Sequence, residues 1–252
     1  MNMPVQERTY RSVVTPGALA GYRVRVRETD LQVYSPTAMP DLVRETVLEV
    51  RAHLEGYIQR HPAFLTTLTP WEGGAPAPPL VQTMIRAGRQ AGVGPMAAVA
   101  GAVAQAAGRA LLEHGPQAIV ENGGDIFLRT SGPALIALHA GKSPLNLKIG
   151  LRLDTRSAPA GVCTSSGTVG HSLSLGRADA VCVVSPDAAL ADAAATALGN
   201  RVRRAADIDA ALAHGRRIPG VEGLVIICDT RIGAWGRVEL VPLAPGFGGR
   251  SN

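Results

Sequence analysis

Residues 161–200 read GVCTSSGTVGHSLSLGRADAVCVVSPDAALADAAATALGN, and this stretch sets the reading of the whole chain. A turn rich in glycine and hydroxyl residues, Thr164 to His171, leads into a short apolar strand, Ala180–Val184. The strand runs directly into an alanine-rich helix that begins near Pro186. Asp192 and Thr196 lie four residues apart on that helix and so share one face. Backbone N–H groups, hydroxyls, an imidazole and a carboxylate are thus concentrated in forty residues. Such a set suits an anionic ligand, with or without a metal.

Working outward towards the C-terminus, the spacing predicts a helix near 206–214, a buried strand Leu224–Cys228 and a last strand Val238–Val241. In the other direction lie four short strands: Ala118–Glu121, Asp125–Arg129, Ala134–Leu138 and Leu147–Leu153. Turns at NGGD (122–125) and SGP (131–133) divide them. Strands this close in sequence are expected to be antiparallel neighbours. Helices are predicted near 80–91 and 95–114, joined by GVGP (92–95). That loop is not a dinucleotide fingerprint, because IRAGRQA before it has helical rather than strand character. The second helix, PMAAVAGAVAQAAGRALLEH, is almost all small residues and is expected to pack closely on a sheet. Residues 40–62 form an amphipathic helix stopped by Pro62. Residues 22–34, YRVRVRETDLQVY, begin by alternating apolar and basic residues. They are expected to form a hairpin that turns at Glu28, Thr29 and Asp30. The segment 65–80, with its prolines and glycines, is the least regular. Strands, paired helices, strands and a strand–helix unit make an α+β fold, with helices gathered on one face of antiparallel sheet.

Composition narrows the functions. Of 252 residues, 46% are hydrophobic, enough for a sizeable core, whereas aromatics are only 4%. So few aromatics argue against nucleic acid held on stacked rings. The net charge of +5 comes largely from short arginine clusters: Arg23, Arg25 and Arg27; Arg201, Arg203 and Arg204; Arg216 and Arg217. They read as solvated faces or as local attraction for phosphate and carboxylate. No apolar run has membrane-spanning length. Three cysteines without a CxxC pair suggest buried thiols rather than a disulfide framework, and Cys182 and Cys228 sit in apolar runs. With MNMPVQERTYRS at the start, a cytoplasmic location is expected.

Three short elements carry candidate chemistry. On the alanine-rich helix, Asp192 and Thr196 are either polar positions facing solvent or oxygen donors for a hard cation such as Mg²⁺. Asp187 reads as an early-turn acid favoured by the helix dipole. The turn Thr164, Ser165, Ser166, Gly167 and Thr168 is either an ordinary polar turn or a cradle for phosphate. His171 behind it is a candidate general base. Cys163 is a nucleophile candidate on residue type alone. In ENGGDIFLR (121–129), Gly123 and Gly124 let a ligand approach the backbone, and Asp125 can meet a metal, a ribose or a base edge.

Taken in order, these elements resemble the ApbE-like family of flavin transferases. Gly123, Gly124 and Asp125 match its GGD turn, and Thr164 to Gly167 its TSG turn. DAALADAAATAL matches its AP-x-A-x-x-AD-x-x-x-T helix. More closely, ETDL (28–31), GPMAAVAGAVAQ (94–105), TSSGTVGHSLS (164–174) and IGAWGRVEL (232–240) resemble a compact uncharacterised UPF-type branch over nearly the whole chain. The resemblance implies a single domain over 1–252 with subdomains of roughly 1–115 and 116–252, built as a duplicated T-fold-like antiparallel sheet with helices on one face. It also implies Mg²⁺ on Asp192 and Thr196, FAD as donor, and FMN transfer to a Ser or Thr of a target protein. Two departures accompany it. The lysine that the transferases carry near the start of the alanine-rich helix is absent from GPMAAVAGAVAQ. Their histidine loop is shortened to GHSLSLGRADA, which keeps His171. Three expectations result: a transferase acting on a phosphorylated or anionic small molecule; an enzyme for a different phosphometabolite or carboxylate in the same pocket; or a non-catalytic scaffold assembling as a homo-oligomer or with partners. Neither nucleic acid nor membrane is expected as a partner.

Overall fold

The computed structural model describes residues 19–73, 76–166 and 176–244. The chain opens with the hairpin β1 (Ala20–Val26) and β2 (Thr29–Ser35), followed by α1 (Pro40–Arg60) and the short α2 (Ala63–Thr66). Next come α3 (Pro79–Ala91) and α4 (Val99–Leu112), the latter entered through a 3₁₀ turn at Pro95–Ala98. A second hairpin, β3 (Ala118–Asn122) and β4 (Asp125–Arg129), precedes β5 (Ala134–Ala137) and β6 (Ile149–Leu153). The remainder is β7 (Ala160–Ser165), β8 (Ala180–Ser185), α5 (Ala188–Gly199), α6 (Ile208–Gly215), β9 (Gly223–Cys228), β10 (Arg231–Gly236) and β11 (Glu239–Pro242).

Among these described residues, eight strands form one sheet in the order β1-β2-β3-β4-β7-β8-β9-β10, every pair antiparallel. The order repeats itself. Two strands, helices and two strands make β1–β4, and the same succession makes β7–β10. The helices of both halves cover one face. Val47 of α1, Met84 of α3, Ala104 of α4, Ala194 of α5 and Ala211 of α6 share a core with Val120, Phe127 and Val183 of the sheet. This is the α+β arrangement with one-sided helices that the residue pattern implies.

The other face holds a second layer. Ile126, Leu128, Val162, Cys182 and Val184 point away from the helices and meet Ile136 and Leu151 of a smaller sheet, β11-β6-β5. The sequence reading that made all four strands of 118–153 successive neighbours is corrected here. β3 pairs with β4 and β5 with β6, but β5 leaves the large sheet to cover its apolar back. Antiparallel strands left with two apolar faces need that cover.

Two strands escape the residue pattern. β7 carries Thr164 and Ser165 inside the ladder, opposite Cys182 and Val181, two residues beyond where a polar turn was expected to begin. β10, RIGAWG, is an edge strand whose residues are mostly exposed, so it lacks alternation. The first hairpin turns on Arg27 and Glu28, with Arg27 at φ 52°, so Thr29 and Asp30 already belong to β2. Pro95–Leu112 is apolar and long enough to cross a membrane by length and composition. In the fold it packs between α1, α5, β3 and β4. All three cysteines are buried and free.

Candidate functional site

The tight turn between β3 and β4 delivers the first acid. Gly123 (φ 69°) and Gly124 (φ 108°) occupy the left-handed region that side chains resist, and the chain reverses at once into Asp125. The turn is fastened from behind, where the Glu121 carboxylate accepts the Gly124 N–H at 2.8 Å.

The second acid arrives from α5. This helix packs so tightly on α4 that a Cβ at Gly101 would lie 2.2 Å from the Ala188 carbonyl oxygen. The approach lets Asp192 Oδ2 accept the Gly101 N–H at 2.9 Å. The carbonyl of the same peptide unit, Ala100 O, accepts from Asn122 Nδ2 at 3.1 Å. Side chains from β3 and α5 therefore clamp the first turn of α4.

Asp125, Asp192 and Thr196 open together on a cleft of about 610 Å³. The end of α2 and the residues after it (Leu65–Leu68), the α3–α4 connection, the start of α4, and Asn200 and Arg201 complete its lining. This volume lies within the usual range for small-molecule sites. The two carboxylates do not ionise independently. Burial pushes Asp192 up to about 7, against the N–H groups of Gly101 and Ala100, which hold it down. Burial and then the Asp192 charge push Asp125 well above the carboxylate range, against hydrogen bonds from Cys163 and Thr164. Two such groups in one half-buried place share a proton or require a cation. Two carboxylates with the Thr196 hydroxyl make a hard, all-oxygen donor set of the kind Mg²⁺ accepts alongside water. Among the described residues no group of three His, Cys, Asp or Glu side chains forms a metal cluster. Among the described residues the donor set is therefore this pair with neutral oxygens.

The remaining candidates separate. Cys163 faces Asp125 across the β4–β7 ladder and donates to the Ala188 carbonyl at 3.3 Å. Burial, followed by the charges of Asp125 and Asp192, pushes its thiol well above the usual range. It is thus held as a neutral thiol rather than as a nucleophilic thiolate. Thr164 runs beside the glycine turn, with its carbonyl 3.7 Å from a Cβ built on Gly124. Gly123 and Gly124 precede Asp125 and the Thr164 backbone bonds to it, and none of these lines the cleft, nor do Ser165 and Ser166. Gly167, Thr168 and His171 lie outside the described residues.

Asp187 is the N-cap of α5, accepting from Ala189 N at 3.0 Å and Leu190 N at 3.3 Å. Gln105 Oε1 takes the Ala188 N–H at 2.7 Å. These first-turn donors are spoken for, so this helix end offers no phosphate seat. Sequence reasoning passed over Gln105 and Asn122, and it read 65–80 only as the least regular segment, without a role for Leu65 at the end of α2 or for Leu68 just after it.

The comparisons with known proteins agree with this architecture. The family described as "AbpE bacteria" matches residues 11–240. A UPF0280 protein of Methanocella arvoryzae is 42% identical over 220 residues, covering 87% of this chain and 89% of the relative. A UPF0280 protein of Methanosarcina acetivorans is 40% identical over 223 residues, covering 87% and 88%. Among solved structures, the Thermotoga maritima ApbE protein superimposes with a TM-score of 0.53 at 16% identity, over 85% of this chain and 96% of its own. The Pseudomonas stutzeri flavinyl transferase ApbE gives 0.54 at 13% identity, over 86% and 94%. At such identities these two establish a common fold. The profile match and the archaeal relatives carry the assignment further: the chain belongs to the AbpE bacterial family, alongside the UPF0280 proteins.

Proposed function

We propose that the cleft binds a phosphorylated or otherwise anionic small molecule together with Mg²⁺, for group transfer of the flavin-transferase type. The observation that carries this reading is the pair Asp125 and Asp192 at the wall of one cleft, both raised by burial and Asp125 also by the Asp192 charge. A divalent cation there relieves their repulsion and, when bound, neutralises phosphate charge during transfer. Asp192 and Thr196 hold the cation from α5, and Asp125 closes the set from β4. Thr164, Ser165, Ser166, Gly167 and Thr168 are assigned the phosphate on their residue types, although the first three lie outside the cleft lining, and His171 is assigned the proton of the acceptor hydroxyl. The solved flavinyl transferase fold and the GGD and AD-x-x-x-T motifs favour FAD as donor and a Ser or Thr of a protein as acceptor.

A second reading is favoured by a specific observation. The helix and metal half of the motif set is kept, while the lysine near α4 is missing and the histidine loop is short. The same pocket then serves a different phosphometabolite or a carboxylate. Titration of Mn²⁺ as a spectroscopic stand-in for Mg²⁺, with FAD fluorescence in parallel, separates the readings. Cation binding that weakens at least about tenfold in Asp192→Ala supports the site; unchanged binding removes Asp192 from it. Flavin binding together with mass added to an acceptor peptide supports the first reading. Cation binding without any flavin binding leaves the second.

A further inference from the structure

The cleft lining has an apolar part and a cationic residue that its carboxylates do not explain. Of that lining, Leu65 and Leu68 are 50% and 64% exposed. Of the four large hydrophobics exposed among the described residues, these two line one cleft, and Met96 and Val99 continue their surface. The loop that carries them is fastened. Gly94 N–H donates to the Leu68 carbonyl at 2.9 Å, Trp71 Nε1 to the Tyr57 hydroxyl at 3.1 Å, and Arg89 Nε to the Trp71 carbonyl at 3.1 Å. A pinned loop holding apolar side chains out beside a concavity is a prepared contact surface.

Arg201, just past the last turn of α5, also lines the cleft. The helix dipole alone would favour a cation there. Arg201 is exposed and makes no ion pair and no side-chain hydrogen bond among the described residues.

We infer that the cleft takes a compact amphipathic anion, its apolar body on Leu65, Leu68 and Met96 and its phosphate or carboxylate on Arg201, which is thereby a specificity-determining residue. This rests on the reading of the cleft as a ligand site and adds to it a second anion contact independent of the metal. A guanidinium suits the task because its planar fork meets two oxygens of a phosphate or carboxylate at once. A cleft of about 610 Å³ limits the apolar part to a ring system or a short chain.

Isothermal titration with octyl phosphate, naphthyl phosphate and inorganic phosphate, in EDTA, tests this directly. Both amphipathic probes are expected to bind more tightly than inorganic phosphate, and the tighter of the two identifies an aliphatic or an aromatic source. Arg201→Gln is expected to weaken the better probe at least about tenfold, the loss of a charged hydrogen-bonded contact. Arg201→Lys should give an intermediate loss, and Arg44→Gln, remote from the cleft, none. Leu68→Ser should weaken the amphipathic probe and leave inorganic phosphate unchanged. Equal binding by Arg201→Gln, or no preference for the amphipathic probes, overturns the inference. Mn²⁺ titration of the same proteins keeps the two readings apart. Mn²⁺ retained in Arg201→Gln while the probe is lost supports the metal-independent contact, and Mn²⁺ retained with no probe response refutes it without touching the carboxylate site.

Discussion

The two faces of the eight-stranded sheet are built from alternate residues of the same strands, yet they do different work. On β4, Asp125 and Phe127 turn towards the helices, while Ile126 and Leu128 turn towards the small sheet. The back layer is a sheet-on-sheet core of Ile, Leu and Val. The helix side is looser in composition and richer in chemistry: alanines and glycines bring α4 and α5 close enough to crowd two carboxylates against a cleft. One pleat therefore separates a layer that supplies stability from a layer that spends some of it on burying charge.

The strongest test of that division is on the back face. Leu128 is fully buried there, and Leu128→Ala is expected to cost about 2–5 kcal/mol, the range for a leucine truncated in a close-packed core. Chemical denaturation measures the loss. Mn²⁺ affinity of the folded protein should not change. If affinity falls along with stability, the two faces are coupled and the division fails.

The next effect is on the helix face and reverses with pH. The Asp192 carboxyl is raised from its ordinary 3.8 to about 7. Between those values the folded chain binds a proton that the unfolded chain has released. The Asp192 contribution to stability is therefore most favourable below about 4 and declines as pH rises to about 7, beyond which its penalty is complete. Asp192→Asn removes the charge while its amide oxygen still accepts the Gly101 N–H. At pH 8 without metal it should be more stable than the parent by on the order of 2–3 kcal/mol, allowing for partial solvent screening. The gain should fade as pH falls towards 4, and Mg²⁺ should close the gap by stabilising only the parent. Thermal melts across pH 4–8 decide it; a gain that persists unchanged at pH 4 means that the carboxylate is not the source.

How much of this was legible beforehand follows the same division. Segments whose pattern reports a single solvent-facing side, such as β1 and α1, were found nearly to the residue. The NGGD turn gave the β3–β4 hairpin, because two adjacent glycines permit the reversal. β7 was hidden because GVCTS is buried on both faces and contains small and polar residues, so it shows no alternation. The departure of β5 from the large sheet was hidden because alternation reports burial, not which layer does the burying. At the site, the motif residues Asp125, Asp192 and Thr196 come together at one cleft. Gln105 and Asn122 were unreadable, since their roles exist only where α4 meets α5 and β3.

The smallest expected effect separates two aspartates on one helix. Asp187 and Asp192 are five residues apart, and the sequence reads the first as an early-turn acid and the second as a candidate oxygen donor. Asp187 caps Ala189 and Leu190 and lies 3.7 Å from Arg86, outside the cleft lining. Asp192 lines the cleft and meets Asp125. Asp187→Ala should therefore cost about 1 kcal/mol, the ordinary value of an N-cap. The Gln105 contact to Ala188 still serves one donor of that turn, which keeps the loss from growing. Unlike the change at Asp192, this loss should be the same with or without Mg²⁺, and Mn²⁺ affinity should stay at the parent value. Opposite signs of stability change from two aspartates on one helix at pH 8 would mark where capping ends and the charged site begins. A drop in Mn²⁺ affinity from Asp187→Ala would instead carry the site around to the N-terminal end of α5.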